Sequence, residues 1–373
     1  MRKTRSFWMR ILVLILILSI MPFSALADGY VIENISAESY VDEFGQMVES
    51  FTVRFAEGTD LTGITKANVF VENNYTHPYT PEFSNGVERV FIHGNAMVID
   101  VSPFLYEMGF VVSCVKNGQT LFSFTKDNVD YMATEVVDEF EFFETDVLAY
   151  RVFKPDSDEK QPLIIWFHGG GEHGEDGMAP LVDYRAAVCW AEPLYQEQHP
   201  CAVLVPQLPE GKTWMDEDVL ADVREQADKL IADGVVDPDR VYVVGFSYYQ
   251  GALWFTTENL DLVAATLHLL YWHAYDPDPK TGDEWGGVGW KEIAEAELPL
   301  WSCGALDDPT LGTEEMLTYH IPYMEANNPN FHYSTWTTEE MYDYRCFGFL
   351  MHHGWIPAIN NQEIIDWLFA QSK

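Results

Sequence analysis

Two uninterrupted apolar runs, Leu163-Ile164-Ile165-Trp166-Phe167 and Ala202-Val203-Leu204-Val205, constrain the fold of this chain more than any other feature. A strand with one face in water alternates apolar and polar side chains, whereas a strand covered on both faces has no place for that alternation. The two runs therefore predict strands inside a sheet with helices on either side. Val241 to Val244 is a third run of this kind, and Asp218 to Asp233 carries an amphipathic helical pattern between them. Strands alternating with helices specify a mainly parallel α/β sheet.

Upstream of about Glu135 the pattern is different. From Tyr30 to about Asp130 the chain shows short alternating strands, among them Phe51–Phe55, Val69–Val71, Val87–Ile92, Met97–Val101, Val111–Val115 and Leu121–Phe124. Turn signals separate them at Glu57-Gly58, Ser84-Asn85-Gly86, His93-Gly94-Asn95 and Asn117-Gly118. That spacing predicts an all-β sandwich of immunoglobulin type. The first residues belong to neither region. Arg2, Lys3, Arg5 and Arg10 precede an apolar run, Ile11 to Met21, and Ala25-Leu26-Ala27 supplies a small-x-small cleavage site. This reads as a secretory signal peptide, with an apolar run too short to span a bilayer comfortably. The expected organisation is a signal peptide over 1–27, a β-sandwich over 28–132 and an α/β domain over 133–373. The exported chain would carry no stable membrane anchor.

A formal net charge of −38, about −42 once the basic leader is removed, repels nucleic acid and anionic membranes. Five scattered cysteines without a CxxC pair argue against a zinc site or a disulfide scaffold. A bridge between Cys303 and Cys346 and buried free thiols both remain open as expectations.

Chemistry-bearing residues lie at the ends of the α/β strands. Gly245-Phe246-Ser247-Tyr248-Tyr249 follows the Val241–Val244 run and precedes an expected helix over Gln250–Leu260. A serine on such a strand-to-helix bend is a candidate nucleophile. The elbow usually has a small residue two places after the serine, where Tyr249 stands here. His168-Gly169-Gly170-Gly171-Glu172-His173-Gly174 follows the strand ending at Phe167, the position from which an oxyanion donor comes. The expected donors are the N–H groups of Gly170 and Tyr248. Asp307 and Asp308, after the strand Leu298–Cys303, are candidate acids. His352 and His353, ahead of a terminal helix from about Asn361, are candidate bases.

These motifs, with the terminal HHGWIPAINN run, resemble the secreted α/β-hydrolase esterases related to polyhydroxybutyrate depolymerases and feruloyl esterases, a group that includes so-called predicted peptidases. The resemblance covers about Val136 to Lys373, and by layout it implies an immunoglobulin-like domain ahead of the hydrolase. It implies Ser247 as nucleophile and His352, three residues before Trp355, as base. Its usual acid position selects Asp307, while the Asp-Pro pairing selects Asp308. It also implies that Trp214, in the segment Pro206–Trp214, lies near the mouth of the site. Trp272, with Trp285 and Trp290 in an acidic insertion, is a further candidate substrate wall. Met351 and the G-F-S-Y-Y-Q-G elbow depart from the group's pattern.

The expected activity is serine carboxylesterase action on short-chain or aromatic, feruloyl-type esters, free or polymer-linked. No cofactor or metal is called for. A peptidase of the prolyl oligopeptidase-like type and a catalytically silent binding protein are the alternatives.

Overall fold

The computed structural model describes residues 29–73, 86–247, 250–269, 289–310 and 316–373. The expected leader, with its expected cleavage site at Ala27, lies outside the described residues, as do Tyr248, Tyr249, Trp272 and Trp285.

Eight strands build the N-terminal region: β1 (Ile32–Asp42), β2 (Gly45–Phe55), β3 (Val69–Asn73), β4 (Val87–His93), β5 (Ala96–Leu105), β6 (Phe110–Lys116), β7 (Gln119–Thr125) and β8 (Tyr131–Thr134). They form a sheet in the order β4-β5-β2-β1-β8 and a second in the order β3-β6-β7. Each expected strand falls inside an observed one. The alternation explains the pairing of the sheets, because inward side chains from both meet in one core. Phe51 of β2 lies 5.0 Å from Phe110 of β6, and Phe55 of β2 lies 5.1 Å from Phe122 of β7.

β8 pairs in parallel with β1 from Ser36↔Tyr131 to Ser39↔Thr134, so the N-terminal sheet extends through Thr134. β8 thus ends inside the stretch between Asp130 and Val137 where the change of region is expected. Val136, at φ +66°, turns the chain, and Val137 is already packed in the core of the second region.

That second region is built on β9 (Glu141–Glu144), β10 (Ala149–Phe153), β11 (Gln161–Phe167), β12 (Ala202–Gln207), β13 (Val236–Phe246), β14 (Ala265–Leu269), β15 (Leu300–Ala305) and β16 (Phe331–Trp336). The sheet order is β16-β15-β14-β13-β11-β12-β10-β9. β9, β10 and β12 are joined antiparallel, and the strands from β12 through β16 are parallel. The apolar runs do what their lack of alternation predicts. Leu163, Ile165 and Phe167 enter a core on one face of the sheet, and Ile164 and Trp166 enter another on the opposite face. Every residue of β11 and β12 is buried. The helix expected at Asp218–Asp233 spans Glu217–Ala232 and buries Val219, Leu220 and Val223 against the sheet.

The two regions abut. Arg185, whose Nε and Nη2 donate to the two Glu192 carboxylate oxygens at 2.6 and 2.5 Å, also reaches Glu43 in the β1–β2 turn through Nη1 at 3.4 Å. Val41 of β1 joins the core that contains Val137 and Phe140. All five cysteines are buried free thiols, and the bridge considered between Cys303 and Cys346 is not formed. Burial pushes both thiols up, Cys346 to about 12. No described helix is long and apolar enough to cross a membrane.

Candidate active site

In a parallel sheet of this kind the carboxyl ends of the strands present loops to one crevice. β11 ends at the glycine turn, β13 at Ser247, β15 just before Asp307 and Asp308, while His352 comes from the segment following β16. Four residues or groups far apart in sequence are thereby carried to the same edge.

Ser247 has φ +55°, a left-handed conformation that costs a residue with a Cβ about 1–2 kcal/mol. Such strain is characteristic of a side chain held out on a sharp bend. The helix Gln250–Glu258 follows at once, close over the sheet. A close approach of strand and helix falls on Gly251. A Cβ there would sit 2.6 Å from Trp214 and 2.7 Å from Phe167, both fully buried rings without room to yield. Gly251→Ala gains about 1 kcal/mol of helix propensity, but the overlap costs about 1–3 kcal/mol. A net loss of stability is therefore expected, measurable as a lower urea midpoint with an unchanged m-value.

Ser247 Oγ donates to His352 Nε2 at 2.8 Å, and His352 Nδ1 donates to Asp308 Oδ2 at 2.8 Å. The side chains of His352 and Asp308 are 8% and 3% exposed, so this chain of hydrogen bonds is shielded from competing water. Asp308 is fixed through its other oxygen, which accepts the Thr310 amide at 2.7 Å. Proline at 309 supplies no amide of its own, which leaves the next one to close this turn.

The acid expected first, Asp307, is in a different place. It is exposed, and it accepts a hydrogen bond from the Thr338 hydroxyl. Adjacent residues leaving a strand point in different directions, and Asp308 is the one directed at the imidazole. His353 is likewise turned away from the serine. It is 4% exposed, packs edge-on to Tyr184 at 5.1 Å, and is held neutral by burial, which pushes it down to about 4.

The glycine turn is braced from within. His168 is fully buried, which pushes it down to about 3 and keeps it neutral. Its Nε2 accepts the Leu208 amide at 3.0 Å, so Nδ1 carries the proton and donates to the Gly169 carbonyl at 2.6 Å. Gln207 ties the far end of the turn, donating to the Glu172 carbonyl at 3.0 Å and accepting the Gly177 amide at 2.6 Å. Gly170 is exposed at the tip. Its amide donates to no acceptor among the described residues, leaving it open for an incoming oxygen. The other expected donor, Tyr248, lies outside the described residues.

Trp214 does not line the mouth of the site. It is fully buried, donates its indole N–H to the His168 carbonyl at 3.2 Å, and packs at 4.9 Å against both Phe167 and His168. Its large ring fills the space under the glycine turn and the elbow helix, so it supports the site without reaching it. The aromatic group that does stand in the open near the imidazole is Phe349, 67% exposed with its ring 6.1 Å from that of His352. Phe347 and Tyr342, also exposed, pack on each other at 5.0 Å. These residues were passed over in the sequence because aromatics three to ten places ahead of a histidine carry no motif. Their exposure depends on how the terminal segment coils.

Over 91% of its length the chain is similar to the whole of a thermostable esterase of known crystal structure, with a TM-score of 0.68 and 23% identity. The two share a fold. A likeness that extensive takes in the N-terminal sheets as well as the large sheet, since the α/β region alone is a smaller part of the 373 residues. Est1E from Butyrivibrio proteoclasticus aligns over 54% of this chain and 89% of its own, at 14% identity and a TM-score of 0.37. A sugar hydrolase from Lactococcus lactis aligns over 61% and 96%, at 13% identity and a TM-score of 0.43. No protein-family model and no curated protein matches the sequence.

Proposed function

We propose that this chain is a secreted serine carboxylesterase with an N-terminal immunoglobulin-like domain, acting on neutral esters with a short acyl or an aromatic group. The single observation that carries the reading is the continuous Asp308–His352–Ser247 hydrogen-bond chain, assembled at the carboxyl end of the sheet on a serine of positive φ.

That geometry supports acyl transfer in two steps. With Nδ1–H donated to Asp308, the free Nε2 lone pair takes the Ser247 proton as Oγ attacks the ester carbonyl. Asp308 stabilises the imidazolium that forms. The Gly170 amide, with that of Tyr248, is suited to hold the oxygen as it becomes negative. The imidazolium then returns its proton to the leaving alkoxide, giving an acyl-enzyme and free alcohol. Water attacks the acyl-enzyme by the same route, with His352 as base, and releases the acid.

Substrate class follows from charge and exposed rings. A formal charge of −38 disfavours strongly anionic substrates, and the open Phe349 face beside His352 offers apolar contact to an acyl or aryl group. The split of the N-terminal strands into a β4-β5-β2-β1-β8 sheet and a β3-β6-β7 sheet supports the immunoglobulin-like assignment. Secretion rests on the leader pattern of the sequence.

Hydrolysis of p-nitrophenyl acetate, butyrate and octanoate tests the reading. Turnover above background with a clear chain-length profile is expected, and turnover of unblocked peptides alone would overturn it. Phe349→Ala should raise KM for aryl-bearing or octanoyl esters by about fivefold to tenfold, from the loss of about 1–1.5 kcal/mol of ring contact. The KM for acetate should change little. An equal rise for all the esters would show that the ring does not contact the variable part of the substrate.

A further inference from the structure

Beneath the exposed tip of the glycine turn lies a carboxyl group with no role in the steps above. Glu172 is 2% exposed, and its Oε2 accepts the Gly169 amide at 2.6 Å. The contact is tight on all sides. A Cβ at Gly169 would lie 2.9 Å from that same oxygen and 3.2 Å from Phe246, the residue before Ser247. Glu172 itself is fixed by Gln207, which binds its carbonyl at 3.0 Å. The carboxyl thus reaches back across the turn to the His168–Gly169 peptide, one before the peptide that carries the Gly170 N–H, whose carbonyl His168 Nδ1 holds.

We propose that Glu172 is a positioning residue for acyl transfer, its buried carboxyl holding the Gly169 amide so that the next amide, that of Gly170, is aimed at the oxygen that becomes negative. This rests on the esterase reading and deepens it by adding a pH-dependent support to the oxyanion turn. A donor for that oxygen must be preorganised, because a misplacement of about 1 Å can cost roughly 10²-fold in rate.

The charge state of the clamp then matters. Burial pushes Glu172 up to about 8, opposed by the Gly169 hydrogen bond and raised further by Asp183. The groups packed around it are distinguishable. Asp183 is pushed up to about 6, mainly by burial and then by Glu107 and Asp176. Tyr184 is pushed up to about 12 by burial, Glu172 and Asp183, while His168 and, beyond Tyr184, His353 are held neutral. Raising the pH from 7 to 9 therefore adds a negative charge at Glu172 after Asp183 has ionised. A carboxylate behind the turn opposes the negative charge developing in front of it, so kcat should fall as pH rises through about 8.

The experiment is the pH profile of kcat and KM for p-nitrophenyl butyrate, corrected for hydroxide hydrolysis, in wild type, Glu172→Gln and Glu172→Ala. It is combined with the amide shift of Gly169 by NMR in wild type and Glu172→Gln. Glutamine keeps an acceptor but cannot ionise. It should retain neutral-pH kcat within about threefold and lose the alkaline decline. Alanine should lower kcat about 10²-fold, with KM within about threefold. The Gly169 shift should titrate near the kinetic value in wild type and stay flat in Glu172→Gln. The proposal is overturned if Glu172→Gln keeps the wild-type decline, or if a folded Glu172→Ala keeps wild-type kcat. Should the alanine variant not fold, the glutamine profile and the Gly169 titration decide. A wild type inactive on esters but with a titrating Gly169 amide would defeat the esterase reading and leave the clamp standing.

Discussion

Ser247→Ala is expected to lower kcat for p-nitrophenyl esters by roughly 10⁶-fold, because nucleophile and base act as one unit and removal of either abolishes the covalent route. Residual turnover from the oxyanion turn and substrate binding should still exceed the uncatalysed rate by about 10³–10⁴-fold. The stability of the variant adds an independent check. Alanine keeps a Cβ at φ +55°, so it retains the backbone strain, whereas glycine relieves it. Ser247→Gly should therefore be inactive yet about 1–2 kcal/mol more stable than Ser247→Ala. Equal stability of the two would mean that the turn is not strained in solution. Equal esterase rates for wild type and Ser247→Ala would remove Ser247 from the mechanism.

The second large effect separates two neighbouring aspartates. Asp308→Asn should lower kcat by about 10⁴-fold, since an amide at this position can donate to the ring and favour the wrong tautomer. Asp307→Asn should change kcat by no more than about twofold, because the exposed carboxylate at 307 touches Thr338 and not the imidazole, and surface changes of this kind are worth about 0.5 kcal/mol or less. Near-equal KM values across wild type and both variants would place the Asp308 effect on the chemical step. The opposite ranking of the two variants would mean that the acid is delivered from 307.

The large sheet was legible in the sequence because its signal is local and redundant. In β11 and β12 every position must be apolar or internally satisfied, so the run itself announces burial on both faces. The N-terminal strands were legible through their alternation and their turns. β1 and β8 were not among them, and the four residues of β8, without clear alternation, take their place from pairing with β1 across about 95 positions.

The candidate site divides along the same line. The glycine turn, the serine bend and the terminal histidine stand where strands end, and strand ends can be read from apolar runs. His352 rather than His353 is what the resemblance implied, whereas which of Asp307 and Asp308 meets His352 depends on side-chain direction at single residues. Spacing along the chain cannot encode it. Trp214 and Phe349 show the same limit in opposite senses. A tryptophan next to a loop was expected in the open and is buried under the glycine turn, while an unremarked phenylalanine is exposed beside the base.

By itself the sequence determined the class of sheet, the order of the two regions and the residue types at the strand ends, because hydrophobic periodicity and turn chemistry act over a few neighbouring residues. Only the tertiary structure decided that Asp308 holds the imidazole, that Gly251 sits at a close approach of helix and strand, and that Glu172 lies under the glycine turn. Each of these depends on the packing of segments dozens of residues apart, where a few tenths of an ångström separate contact from overlap.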